Sequence, residues 1–296
     1  MTTTFGTHRV SDEAAAGSGR RTGGRSRGVR LLVGIILWGY ALFSVVPLLL
    51  MLTNSVRTNR ELATQPLGLP LVPDFSSYQR AWIEASFATY FWNSLVVTVC
   101  SVVLATAVSL LAAYALARSK SRAMGMIESL FVSGLMMPVF LMIVPIFYLL
   151  DSLGLVSTLP GLILVYTAVS IPFMVFVLGA FLRQLPGEVE EAARIDGAGS
   201  LRTFWSIIVP LVRPAIATVV IFRFVPIWND FFYPLILIRQ PAKYTLPVGL
   251  TSFFGEYQTD WSTLFAGLVI ATLPLIVLFL VATKQIVAGL TSGIGK

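Results

Sequence analysis

Five stretches of this chain run for more than twenty residues without a charged side chain: Leu31–Leu52, Thr89–Ala117, Ser129–Leu150, Ser152–Leu182 and Ser262–Thr283. A helix of about 20 apolar residues crosses roughly 30 Å of hydrocarbon, so each run is long enough to span a bilayer. A sixth run, Pro214–Ile238, has the length but carries Arg223 and Asp230. Inside a bilayer the backbone finds no water to bond, which drives such segments into helices. Composition agrees, since only 12% of residues are charged and 56% are hydrophobic. Soluble chains carry about 25% charged residues. The expectation is an all-α polytopic membrane protein with six transmembrane helices. In the fourth run, Gly154 and Pro160 put the helix start near Leu159. The first run is longer than a signal-peptide core of roughly 7–15 residues, and no A-x-A-like site follows it. It is read as an uncleaved first span.

The net charge of +7 is explained by topology rather than by nucleic-acid binding. Six spans put both termini on one side, and that side collects 15 Lys and Arg residues against 5 on the other. The excess marks the cytoplasmic face, so both termini are expected there. Residues 1–29, rich in Arg, Gly, Ser and Thr, read as a disordered basic tail. Residues 30–88 hold the first span and an external loop with Pro66, Pro70 and Pro73, followed by Tyr78 and Trp82, which suit the headgroup level. Residues 89–284 form a core of five spans, and 285–296 a short cytoplasmic tail.

Several chemistries are excluded. His8 is the only histidine and lies in the polar tail, and Cys100 is the only cysteine. No H-E-x-x-H, G-x-S-x-G or G-x-x-x-x-G-K-[ST] pattern occurs. No catalytic residue, metal ligand or cofactor is expected in the chain, and ATP has no P-loop here to bind.

The most informative segment is the long loop 183–213 between spans 4 and 5. Pro186 and Gly187 end span 4. Glu188, Glu190 and Glu191 then suit the positive N-terminus of a short helix. Asp196 and Gly197 close it, because glycine tolerates the left-handed backbone of a helix end. Ser200 is expected to cap a second helix with Leu201, Phe204, Ile207 and Ile208 on one face, stopped by Pro210 and Pro214. The result is a helix–turn–helix at the membrane surface, either a cap on the bundle or a docking element for a cytoplasmic partner.

Glu191-Ala192-Ala193, then Gly197, Ile207 and Val209-Pro210, resemble the EAA motif of bacterial ABC-importer permeases, with Val209 where Leu is usual. Ile195-Asp196-Gly197-Ala198 and Phe204 are similar to its carbohydrate-importer, MalG-like branch. So are Phe91-Trp92-Asn93-Ser94-Leu95, Pro138, Pro145, Leu153-Gly154-Leu155, Trp228-Asn229-Asp230-Phe231 and Gly289-Leu290-Thr291-Ser292-Gly293. The likeness covers nearly all of residues 30–296.

The resemblance implies a type I importer permease fold and a transport subunit rather than an enzyme, in a bacterial or archaeal cytoplasmic membrane. Glu190, Glu191, Ala192, Ala193, Asp196 and Gly197 would engage a separate ATP-binding cassette subunit, with Thr291 and Ser292 as a further contact. ATP and Mg would belong to that subunit. The other implied partners are a second, MalF-like permease, an extracytoplasmic solute-binding protein, a sugar substrate and membrane lipid.

Arg223 and Asp230 lie seven residues apart and so roughly on one helix face. Charge at membrane depth either pairs locally or faces a cavity. A structural ion pair and a solute path lined by Arg223, Trp228, Asn229 and Asp230 both remain open. Arg223 and Pro226 are unusual for the MalG-like branch. An ion-coupled secondary transporter is the alternative function, although the charges sit in one span and no internal repeat is evident.

Overall fold

The computed structural model describes residues 27–253 and 260–292, without the side chains of Arg27, Glu84, Ser252 and 282–292. All regular structure among the described residues is helical. The chain divides into two units, residues 1–49 and 50–296, each considered by itself.

The first unit contains most of α1 (Arg27–Asn54), whose apolar side chains from Leu31 to Leu49 are exposed. The helix begins within the segment expected to be a tail. Residues 1–26 of that tail lie outside the described residues.

In the second unit α2 (Asn59–Thr64) starts on a capping box, with the Thr58 side chain accepting from the Glu61 amide and Glu61 answering. Arg57, fully buried, clips the segment together by donating to Asn54 Oδ1 at 3.0 Å and to the carbonyls of Glu61 and Gln65 at 3.0 and 2.5 Å. A short α3 (Ser76–Gln79) and a π-helical turn (Arg80–Glu84) then lead into the bundle.

The centre of the bundle is the pair α4 (Phe87–Arg118) and α7 (Leu159–Gln184). Lipid offers no hydrophobic drive between helices, so close packing and polar cross-links decide. The buried face of α4 supplies both, because Ser94, Thr98, Ser101, Ala105, Ser109 and Ala113 recur every three or four residues and are small. Ser101 Oγ donates to the Ile163 carbonyl at 3.3 Å. Around this pair stand α11 (Arg213–Trp228), which packs on α4, α7 and α14 (Trp261–Ser292), and α5 (Arg122–Leu135), which packs on α7.

The span count differs from expectation in kind. Among the described residues, four helices are long and apolar enough to cross a membrane, and two bent pairs raise the number to six if each is one span. The expected third span is such a pair. After α5 the chain turns by 99° across residues 136–138, and a 3-10 turn (Val139–Met142) then runs directly into α6 (Ile143–Ser152). Pro138 cannot continue α5, since its ring removes an amide donor and restricts the residue before it. The expected fifth span also breaks. Helix α11 stops at Trp228, and a separate α12 (Phe232–Leu237) follows. Two short connections, Pro241–Lys243 and α13 (Leu246–Gly249), lead on toward α14. That last helix runs through Ser292, so the tail expected from residue 285 is helical, and 293–296 lie outside the described residues.

Asp260 fixes the start of α14. Its Oδ1 accepts from Asn59 Nδ2 at 2.8 Å, Ser262 Oγ at 3.0 Å and the Thr263 amide at 3.1 Å, and its Oδ2 accepts from Thr263 Oγ1 at 2.6 Å. Arg80 stands 3.7 Å from Oδ2. Partial burial pushes the pKa of this carboxyl up, but the bonds from Thr263, Asn59 and Ser262 together outweigh it and hold the group below the usual carboxylate range.

Candidate functional site

The loop after α7 folds as the sequence suggests. Helix α8 (Glu188–Ile195) carries three glutamates in its first turn, with no side-chain cap at Gly187. Its end is a Schellman motif: the Ala198 amide donates to the Ala193 carbonyl at 2.9 Å and the Gly197 amide to Arg194 at 3.0 Å. Gly197 sits at φ 79°, where a side chain costs roughly 1–2 kcal/mol. The second arm is α9 (Ser200–Thr203), a π-helical turn (Phe204–Ile208) and α10 (Val209–Leu211), and the chain then bends by 71° into α11. Pro210 therefore lies inside this arm and does not end it. Phe204 and Ile208 are buried, whereas Leu201 is 72% exposed, contrary to the expected shared face. A π turn holds an extra residue, which rotates the side chains before it relative to those after it.

The six expected coupling residues divide between two faces of the hairpin. Glu191, Ala192, Asp196 and Gly197 are exposed, while Glu190 and Ala193 are buried. Glu190 turns into the protein. Its Oε1 accepts from Arg118 Nε at 2.6 Å and its Oε2 from the Tyr114 hydroxyl at 3.1 Å. Arg118 also donates to the Leu185 carbonyl at 3.3 Å, and Tyr114 packs on Phe204 with ring centroids 5.0 Å apart. One carboxylate thus ties both arms of the hairpin to the end of α4. Sequence reading missed Tyr114 and Arg118, although their spacing of four puts them on one helix face. Beside the exposed coupling residues, Ile195 and Trp205 are also exposed, at 87% and 52%.

The span-5 residues do not form one cluster. Arg223 donates from Nε to Ser170 Oγ at 3.0 Å, and its guanidinium lies 6.0 Å from the Phe173 ring centre. Asp230 accepts from the Tyr166 hydroxyl at 2.6 Å and from the Phe232 and Tyr233 amides at 3.2 Å each, so it caps α12. The structural ion pair between the two is therefore absent: a carboxylate that caps a new helix lies off the face it would occupy in a continuous one. Trp228 is buried, stacks on Phe224 and donates to the Ala271 carbonyl at 3.0 Å. Asn229 bonds back to the Val225 carbonyl at 2.9 Å. Thr291 and Ser292 are in α14, and their side chains lie outside the described residues. No group of three or more potential metal ligands occurs among the described residues.

The described residues thus form helices, several long and apolar enough to cross a membrane, with an exposed polar-tipped hairpin after α7. Residues 105–291 match the family described as "Binding-protein-dependent transport system inner membrane component". The diacetylchitobiose uptake system permease protein NgcG of Streptomyces coelicolor is 36% identical over 95% of this chain and 91% of its own length. The melibiose/raffinose/stachyose import permease protein MelC of Bacillus subtilis is 34% identical over 85% of this chain and 91% of its own length. Among solved structures, a bacterial ABC transporter involved in the import of the acidic polysaccharide alginate superposes with a TM-score of 0.78. The identity is 25%, covering 88% of this chain and 98% of that one. The chain belongs to the family of binding-protein-dependent transport system inner-membrane components. It is a permease subunit of an ATP-driven importer, and ATP hydrolysis in this family falls to a separate subunit. Family membership sets aside the ion-coupled alternative.

Proposed function

We propose that this chain forms half of the translocation path for a sugar or oligosaccharide and couples that path to an ATPase through α8 and its turn. The observation that carries the reading is the division of the hairpin. Glu190 and Ala193 seat it on the bundle, while Glu191, Ala192, Asp196 and Gly197 face outward together. The small Ala192 allows close approach, the carboxylates suit a basic cleft, and Gly197 supplies a turn that other residues adopt at a cost. Similarity to permeases named for diacetylchitobiose and for melibiose, raffinose and stachyose supports a saccharide solute.

In this reading α5 with α6 forms one span and α11 with α12 another, giving six, and the hairpin and both termini are cytoplasmic. The membrane is a bacterial or archaeal cytoplasmic membrane. A second, homologous permease completes the path, ATP and Mg sit on the cassette subunits, and a solute-binding protein delivers from outside. Thr291 and Ser292 form a second ATPase contact.

The test is to purify the chain with its operon neighbours and compare Glu191→Arg, Ala192→Trp and Gly197→Trp with the parent. Solute-stimulated ATP hydrolysis should fall at least about tenfold, equivalent to ~1.4 kcal/mol of lost coupling. Unchanged stimulation with an ATPase still bound would overturn the assignment.

A further inference from the structure

Beside the break between α5 and α6 lies a cavity of about 400 Å³. Its lining includes Gly134, Met137, Ala168, Pro172, Phe173 and Arg223. Small-molecule sites occupy roughly 300–1,000 Å³. Arg223 is ten residues into α11, ~15 Å along the axis, about half of the hydrocarbon thickness. Irregular backbone at such depth persists only where it is covered by protein or lines a cavity.

The wall is apolar apart from one guanidinium, whose bonding is incomplete. Only Nε has an acceptor among the described residues, Ser170 Oγ, and the negative charge of Asp230 is already engaged by Tyr166 and two amides. A planar fork of nitrogen donors matches two neighbouring oxygens held in one plane. Apolar and ring surface beside it suits the C–H face of a sugar ring. Ser170 holds one edge of the guanidinium, and Arg223 lines the cavity with no acceptor among the described residues at its terminal nitrogens.

We propose that this cavity is a saccharide subsite in which Arg223 takes two adjacent oxygens of the passing solute, from a carboxylate or a vicinal diol. Met137, Pro172 and Phe173 take its apolar face. The proposal rests on the reading of the chain as a sugar-importer permease.

The experiment uses the assembled importer in proteoliposomes, with the exposed Cys100 replaced by Ser and a single reporter, Ala168→Cys, in the cavity wall. Labelling is followed with anionic sulfonatoethyl and cationic trimethylammonioethyl methanethiosulfonates. The anionic reagent should react several-fold faster, and Arg223→Gln should abolish that preference. Neutral and uronic-acid trisaccharides are then added as protectants. Protection by the uronate alone assigns the fork to a carboxylate, and protection by both assigns it to a diol. Arg223→Lys should keep the charge preference and lose the protection, because it retains the cation without the fork.

Equal reaction of both reagents, or protection by neither sugar, overturns the subsite. So does a reporter that labels in the isolated chain and becomes inert on assembly, since a partner subunit would then fill the cavity. Labelling does not depend on ATPase coupling, so failure here is distinguishable from failure of the importer reading.

Discussion

At the start of α14, Asp260 collects four hydrogen bonds from the neutral groups of Asn59, Ser262 and Thr263, with Arg80 at 3.7 Å. At the end of α4, Glu190 accepts two, one of them from the Arg118 guanidinium at 2.6 Å. Both carboxylates fasten a connecting segment to the bundle. Asp260 does so as a shared helix cap whose load is spread over many weak donors, and its side chain is 39% exposed. Glu190 does so through one short charged contact, with its side chain 9% exposed. A spread clamp loses strength gradually. A buried ion pair fails when either partner is removed, since the survivor is a charge with neither water nor counter-ion.

The largest effect should therefore come from Arg118→Ala, about 3 kcal/mol of destabilisation, the lower end for a buried pair because Arg118 is a quarter exposed. Thermal unfolding of the purified complex measures it. The double variant Arg118→Met with Glu190→Met should regain most of the stability, because an apolar pair of similar volume replaces the ions without leaving a charge. If the pair also transmits movement from hairpin to α4, this stable double variant will still hydrolyse ATP without moving solute. An Arg118→Ala variant less damaged than the Asp260→Ala variant would break the comparison.

How much of this was legible depends on how far apart in the chain the partners of each feature lie. The hairpin boundaries at Glu188 and Gly197 were readable because these residues act through their own backbone or nearest neighbours, whereas the cap expected of Ser200 falls to Gly199, which makes no side-chain bond. The apolar runs were readable because hydrophobic length needs no knowledge of packing. The sharp turn between α5 and α6 was hidden, since a proline in an apolar run reads equally as a slight kink. The inward direction of Glu190 was hidden too, because its partners lie 72 and 76 positions away. Arg223 and Asp230 were placed on one face by assuming a continuous helix. The end of α11 at Trp228 removed that relation and freed Asp230 to cap α12.

Asp260→Ala should cost about 1–2 kcal/mol, the range for losing a helix cap, since Arg80 at 3.7 Å and partly exposed adds little. The same group gives the Asp260 clamp an acid limit. Its folded-state value lies below that of the unfolded carboxyl, so its contribution is complete above about pH 4 and is lost as pH falls through the folded value. Thermal stability of the parent minus that of Asp260→Asn should thus stay flat between about pH 5 and 8 and shrink toward zero below about pH 4. A difference that shrinks near neutral pH would show that Asp260 is not held in its charged form by these bonds.

The smallest effect should be at a third carboxylate, Glu128, which Arg183 meets at 2.8 Å with side chains 35% and 41% exposed. This distance is nearly as short as that of the Arg118 pair, so contact geometry alone would rank the two together. Burial separates them. Exposed pairs contribute about 0–1 kcal/mol, and salt screens them over roughly 8 Å at physiological strength. Arg183→Ala should shift unfolding by no more than about 0.5 kcal/mol, and added salt should erase the difference. Raising salt should leave the larger Arg118→Ala loss mostly intact, because the low-dielectric surroundings of Glu190 exclude the screening ions. Equal salt sensitivity at both sites would mean that water reaches Glu190, and the contrast between a spread clamp and a buried one would then collapse.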